Sequence, residues 1–479
     1  MTTRSKICGL ALSASFIALT GCASVNTAGN TTARASADTK TAKNVILFVG
    51  DGMGISTITA ARIFDGQSKG MNGEGNSLSF EKFPNLSLVK TYNLDSQVAD
   101  SAGTASALNT GMKTQIGKIN VQPDGLYASC VGSSAKPPAT FADLAKKSGR
   151  SVGVVSTARL THATPAAVYG HGISRSWEDD TEIDAEGKAL GCTDFAAQLI
   201  GYGGDNGLDL ALGGGRRNFT PTSEGGSRED GRNLTAEWAA KGADHVYAAN
   251  ANALRALNPA EKQAVLGLFN NSHLSFETDR DDAAEPSLTE LTNFAIKSMQ
   301  ARGTGYYLMI EGGRIDHAHH GINAYRALSE TQELARAVAE ADRMTDDEDT
   351  LILVTADHSH VFTIAGYPAI GNPILGLVHQ VDRETGYPKP DPVLALDGKP
   401  YTTLGYHNGT NTRTADDDLS NENVQSKDYK QQTAVELYGE THGGEDVALF
   451  AKGPGADQVK GVIDQAEIFD IMTNAAGLD

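Results

Sequence analysis

Six short apolar runs punctuate the chain, each followed by polar or glycine-rich residues. They span residues 43–50, 151–156, 208–212, 305–310, 350–355 and 447–452. Runs of this length with no polar face read as strands buried on both sides, as in a parallel sheet. Helical patterns fall between them. Residues 102–108 are small and can be helical, and a long helical pattern after His320 continues to Met344. In that pattern Leu334, Val338 and Ala341 recur at helical spacing and cover the sheet. Strands alternating with helices predict an α/β fold. Residues 250–300 read as mixed helix and loop. From about 366 to 432 the periodicity fades and Pro, Gly, Asn, Tyr and Asp become frequent, which reads as an inserted subdomain or elaborate loop. No internal repeat is present.

The first residues change the picture of where the protein works. Arg4 and Lys6 precede an apolar stretch at 7–19, too short to span a bilayer. Leu19-Thr20-Gly21-Cys22 resembles a bacterial lipobox, which implies a signal peptide over 1–21 and lipid on the Cys22 thiol. The alternative is an ordinary secretory peptide cut near Ala23 or Ala28. Both readings export the protein, and Ala23 after the cysteine points to the outer membrane. Residues 22–42 have little to bury and read as a flexible tether. Of four cysteines, Cys8 leaves with the signal and Cys22 is acylated. The remaining Cys130 and Cys192 are an even pair in an exported protein, for which a disulfide is the default. The net charge of −19 repels nucleic-acid phosphate and excludes that class of partner. Anionic substrates then need a locally positive site.

The chemistry sits where strands end. Glu311, Asp316 and His320 fall within ten residues after the 305–310 run, and Asp316 and His320 share one face of a helical turn. Asp51-Gly52-Met53-Gly54 follows the first run, and Asp357-His358-Ser359-His360 follows the 350–355 run. His442 precedes the last run. His162 and Thr164, two apart before Pro165, point the same way if that segment is extended. Ser101 stands at the start of the 102–108 helix, where backbone N–H groups favour an anion. Simpler roles exist for several of these residues: Asp51, Asp100 and Asp316 are each good helix N-caps. Gly213-Gly214-Gly215 lacks a phosphate-loop spacing and reads as a turn, and the acidic stretch 279–285 reads as solvated surface. Parallel strands bring their C-terminal ends to one edge, so Asp51, Thr164, Glu311, Asp316, His320, Asp357, His358 and His442 become joint candidates. Carboxylate with imidazole suits zinc, and carboxylate with hydroxyl suits magnesium. Two zinc ions about 4 Å apart clamp the two oxygens of an in-line displacement, and a serine beside them is an activated nucleophile. The combination points to phosphoryl transfer.

Six of these segments, in order, resemble alkaline phosphatases: Asp51-Gly-Met-Gly, Asp100-Ser101-Ala102, His162-Ala-Thr164-Pro, Glu311-Gly-Gly-Arg-Ile-Asp316-His317, Thr355-Ala-Asp357-His358-Ser and Thr441-His442-Gly-Gly-Glu-Asp. The resemblance covers roughly residues 43–475. It implies a three-layer α/β/α sandwich with a large, mostly parallel central sheet, and a homodimer whose crown is the 366–432 insert. It implies phosphate-monoester hydrolysis at alkaline pH through a phosphoserine on Ser101, with Arg175 clamping the phosphate. One zinc falls to Asp316, His320 and His442. The other falls to Asp51, Asp357 and His358, and holds the Ser101 oxygen. Magnesium falls to Asp51, Thr164 and Glu311. His162 and His317 resemble the pair of the animal-type branch, where they lie just behind the magnesium and phosphate. Cys130 and Cys192 match a disulfide of that branch. The animal-type enzymes carry a further calcium site in the region matching 216–285. Here Asn270 stands where that pattern has Glu, so calcium is not expected. A diesterase or sulfatase on the same fold is the neighbouring alternative. Ser101-Ala102-Gly103-Thr104 is not the setting from which a sulfatase makes formylglycine.

Overall fold

In a computed structural model the chain is described over residues 40–122, 130, 137–204, 207–414 and 417–478. The signal, the lipobox with Cys22 and nearly all of the tether lie outside the described residues. Ala42, assigned to the tether by composition, is fully buried and donates its N–H to Ala475 O at 2.7 Å, so the fold starts there.

The apolar runs become strands. In chain order these are β1 (Asn44–Gly50), β2 (Asn85–Lys90), β3 (Ser151–Arg159), β4 (Leu210–Gly214) and β5 (His245–Ala248). β6 (Ala264–Leu268), β7 (Tyr306–Gly312) and β8 (Thr350–Ala356) follow. Five short strands come next: β9 (Ser359–His360), β10 (Phe362–Ile364), β11 (Leu404–Gly409), β12 (Thr433–Glu436) and β13 (His442–Gly443). β14 (Val447–Lys452) and β15 (Lys460–Asp464) close the series. Among the described residues, ten strands form one sheet in the order β15-β2-β14-β8-β1-β7-β3-β4-β6-β5. All run parallel except β14, which is antiparallel to both its neighbours. β1 is central, and all seven of its residues are buried between β7 and β8.

Helices cover both faces. Ile55–Ser68, Leu288–Arg302 and Ala324–Met344 pack as one layer, and Ser101–Thr110, Phe141–Lys147, Ala163–Tyr169 and Glu467–Ala476 as the other. Alternation along β7 serves the two layers. Tyr307 meets Phe141 edge-on at 4.7 Å, while Leu308 lies on the side of Met299. The fold is therefore α/β, with a large and mostly parallel sheet flanked by helices.

Some readings change. Residues 162–165 are not an extended run: His162 is extended, but Thr164 and Pro165 lie in the first turn of Ala163–Tyr169. A proline there costs no hydrogen bond, because the first-turn N–H groups have no partner inside the helix. Gly213 and Gly214 belong to β4, and only Gly215, at φ 96°, makes the turn. The 250–300 region hides a strand, β6, whose five residues are all buried. The 366–432 segment carries its own small apolar cluster of Leu377, Leu419 and Val424. Its Ile374, Leu375, Leu404 and Tyr406 join the main core, and the chain from Lys40 onward forms one compact unit. Cys130 and Cys192 are joined by a disulfide.

Phe48 on β1 is fully buried among these layers. Phe48→Ala is expected to cost about 3–5 kcal/mol of unfolding free energy, read from the shift of the urea midpoint.

Candidate active site

The C-terminal edge of the sheet collects the polar strand ends. β1 delivers Asp51, β7 delivers Glu311 and β8 delivers Asp357 and His358. β14 runs the other way, so the residues before it, including His442, reach the same edge. Asp316 and His320 lie on the helix Arg314–His320, whose N-cap is Gly313. Asp316 is thus inside the helix rather than capping it, and His320 Nε2 stands 3.3 Å from its Oδ1.

Ser101 opens the helix Ser101–Thr110, and its Oγ lies 3.2 Å from His358 Nε2. Asp100 is the N-cap, which leaves Ser101 as the first helical residue. Its Oδ1 accepts from Gly103 N at 3.1 Å and Asn93 Nδ2 at 2.8 Å. Its Oδ2 accepts from Gly117 N at 2.9 Å and Arg175 Nη1 at 3.1 Å. One carboxylate therefore positions both the serine's helix and the arginine. Arg175 Nη2 also contacts His162 Nε2 at 3.2 Å.

Three donor groups gather at this edge, and Ser101 touches the first through His358. Asp51, Asp357 and His358 form the first. His358 Nε2 is 3.5 Å from Asp51 Oδ1 and 3.3 Å from Asp357 Oδ2. In the second, His320 and His442 each face Asp316. Their Nδ1 atoms bond the carbonyls of Glu440 and Ala99, both at 2.8 Å, so each Nδ1 is the protonated nitrogen. Each Nε2 then carries a lone pair, yet the two stand 3.1 Å apart with Asp316 Oδ1 3.4 Å from His442 Nε2. Two neutral imidazoles that face each other with no proton between them, beside a carboxylate, make a donor set that suits a cation. The third group joins Asp51 and Glu311 to Thr164 and His162. Both Asp51 oxygens, Glu311 Oε1 and Thr164 Oγ1 are buried with no hydrogen-bond partner among the described residues. Such orphaned acceptors are costly unless a cation meets them.

The electrostatics agree. Burial, followed by the charges of Asp357, Asp316 and Glu311, holds the Asp51 carboxyl well above its usual range. Burial pushes Glu311 up to about 8. Burial works to raise Asp316 too, but the hydrogen bond from His360 and the neighbouring imidazoles outweigh it and hold Asp316 well below the carboxylate range. Burial, with Arg175 next, depresses His162. Burial, with His273 next, depresses His317. The His162 and His317 rings lie 5.4 Å apart.

Sequence reasoning passed over His360, Glu440, Ser156 and His273. His360 Nε2 bonds Asp316 Oδ1 at 2.8 Å, and its Nδ1 bonds Glu440 Oε2 at 2.7 Å. Ser156 Oγ bonds Glu311 Oε2. The His273 ring centre is 4.0 Å from that of His317. One signal was available: His358 and His360 stand two apart at a strand end. The other contacts join residues far apart in the chain.

Residues 42–478 match the family model described as alkaline phosphatase. Over 451 residues the chain is 40% identical to an alkaline phosphatase of Gadus morhua, covering 91% of this chain and 92% of that one. Over 459 residues it is 39% identical to the tissue-nonspecific alkaline phosphatase isozyme of Homo sapiens, covering 92% and 84%. Among solved structures, a mutant alkaline phosphatase from the Antarctic bacterium TAB5 with Mg bound in its M3 site superposes with a TM-score of 0.63. It is 23% identical, covering 92% of this chain and 99% of that one, which is a likeness of fold.

Removing the Asp100 side chain tests how the site is held. Asp100→Ala loses an N-cap, typically worth about 0.5–2 kcal/mol. It also strips two further N–H donors and Arg175 of their acceptor, so the loss in chemical denaturation is expected at or above the upper end of that range.

Proposed function

The chain belongs to the alkaline phosphatase family and is a phosphatase, and on that premise we propose that it hydrolyses phosphate monoesters through a phosphoserine on Ser101, assisted by bound divalent cations. The observation that carries this reading is the gathering of orphaned oxygens and imidazole lone pairs at one sheet edge, with the Ser101 hydroxyl 3.2 Å from His358 of that set. Asp316, His320 and His442 would hold one zinc; Asp51, Asp357 and His358 would hold the other. Asp51, Thr164 and Glu311 would hold magnesium, with His162 and His317 beside them. The mixed nitrogen and oxygen donors of the first two sets suit zinc, and the oxygen donors of the third suit magnesium. Such cations, when bound, supply Lewis-acid charge for the attacking and leaving oxygens of an in-line displacement.

The chain's own residues do the rest. Ser101 Oγ gives up its proton to water and attacks phosphorus. The Oγ–P bond forms, the P–O bond to the alcohol breaks, and the alcohol leaves with a proton from water. Water then attacks the phosphoserine and loses a proton, the Oγ–P bond breaks, Ser101 Oγ takes a proton back, and inorganic phosphate leaves. The helix N-terminus under Ser101 favours negative charge at that point. Arg175 offers a planar fork to two phosphate oxygens, and Asp100 holds that fork in place. This local positive charge answers the −19 of the whole chain.

Calcium has no part in this reading. Glu285 accepts from Asn270 Nδ2 at 2.6 Å, Ser275 N at 2.6 Å and Ser275 Oγ at 3.0 Å, so its oxygens are already engaged. We further propose export with lipid on Cys22 and an outer-membrane position, supported by the lipobox-like Leu19-Thr20-Gly21-Cys22 and by the disulfide, which belongs to an oxidising compartment. Among the described residues no helix is long and apolar enough to cross a membrane. A homodimer with 366–432 as its crown is supported by Ile370, Tyr387, Leu394 and Leu396, all exposed on that segment.

Hydrolysis of an aryl phosphate from pH 7 to 11, beside a matched diester and an aryl sulfate, tests the reading. Monoester turnover should dominate, rise toward alkaline pH, vanish with chelator and return with zinc plus magnesium. Preference for the diester or the sulfate would move the chain to a neighbouring activity. In the same assay Ser101→Ala is expected to lower kcat by at least about a thousand-fold with metal content unchanged. Full activity in that variant would remove the serine from the mechanism.

A further inference from the structure

A buried strut stands behind the donors Asp316, His320 and His442. Its base is Glu440, whose side chain has no exposed surface. Glu440 Oε2 accepts from His360 Nδ1 at 2.7 Å, and Glu440 Oε1 accepts from Val361 N at 3.0 Å. The other nitrogen of His360 donates to Asp316 Oδ1 at 2.8 Å. The Glu440 carbonyl separately accepts from His320 Nδ1 at 2.8 Å. A single residue thus orients two histidines, one by its side chain and one by its backbone.

The His360 ring has no room to turn. On one side a Cβ at Gly52 would lie 2.3 Å from its Nε2, so that position tolerates only glycine. On another the His319 ring stacks on it at 4.7 Å, itself held by Thr57 Oγ1 at 3.0 Å and Tyr406 Oη at 2.8 Å. Antiparallel pairing of β9 with β13 sets His360 opposite His442, which brings Glu440 beside Val361. Both ring nitrogens of His360 are engaged by carboxylates. It has no lone pair to offer a cation, although it lies among the site's donors.

We propose that Glu440 is a positioning residue for the Asp316–His320–His442 site, fixing Asp316 through His360 and fixing His320 through its own carbonyl. This rests on the reading that those three residues hold a zinc ion. Partners of this kind orient metal ligands, and their loss typically weakens binding by about ten- to hundred-fold. Both side-chain contacts of Glu440 require an acceptor. A glutamine has one acceptor and one donor, so either the Val361 N–H would face another N–H, or His360 would have to give up its Nδ1 proton and with it the charge that holds Asp316.

The test uses the full chain, stripped of metal and titrated with zinc against a chromophoric chelator. Wild type should bind zinc at two sites. Glu440→Gln should weaken one site by about ten- to hundred-fold and leave the other as it was. His360→Gln should weaken the same site, and the double variant should lose little more than the worse single variant, because the two residues act in series. Glu440→Asp keeps the charge but withdraws it by one methylene, and should show a smaller loss at that site. It carries the test if Glu440→Gln does not fold. Unchanged affinity at both sites, an equal loss at both, or additive losses in the double variant would each overturn the proposal while leaving the proposed reaction intact. A wild type that binds no zinc would overturn both.

Discussion

Four carboxylates crowd one edge of a buried sheet, and that crowding governs the site. Asp51, Glu311 and Asp357 have no exposed surface, and Asp316 has almost none. Taking like charges out of water together is costly, and protonation or cations are the available relief. The surroundings distribute that relief unevenly. Asp357 accepts from the N–H groups of Gly52 and His358, both at 2.9 Å. Asp316 is surrounded by imidazoles. Asp51 accepts from nothing among the described residues, and it belongs to two of the donor groups at once. A position shared by two donor groups is the one where an acceptor with no hydrogen bond makes physical sense.

The sheet makes this crowding possible. β7, β1 and β8 lie side by side in register, with Gly50 opposite Gly312 and Ala356. The residues that follow are therefore delivered at one level. Glycine keeps the edge open: Gly52 turns the chain at φ 68°, and the His360 ring fills the space a Cβ there would need. The reversed β14 then completes the arrangement. Had it run parallel, the segment before it would have emerged at the opposite edge, and His442 could not face Asp316.

A second level of organisation lies behind the donors. Asp100 ties the serine's helix to Arg175, Ser156 holds Glu311, and Glu440 holds His360. Each is a short, buried and directional contact to a group that would otherwise rotate. Direction matters here because a carboxylate or imidazole turned by one rotamer points its lone pair elsewhere.

The sequence alone determined the parts whose information is local. Apolar runs too short for helices announced β1, β3, β4, β7, β8 and β14, because a strand buried on both faces has no polar positions to disguise it. Residue type announced the donors, since few other reasons place Asp, Glu and His together at strand ends. Two cysteines left over once Cys8 and Cys22 are set aside announced their bond. The tertiary structure decided what depends on distant partners. β15 at the edge of the sheet and β2 beside it are half-exposed and leave no apolar run. Thr164 lies in a helix because its backbone continues from β3 into the layer covering the sheet, against the local preference before Pro165. His360 and Glu440 are ordinary letters until β9 pairs with β13 across some 80 residues of chain. Local chemistry names the atoms that can hold a charge, whereas only the packing of the whole sheet fixes which of them meet and which are left without a donor.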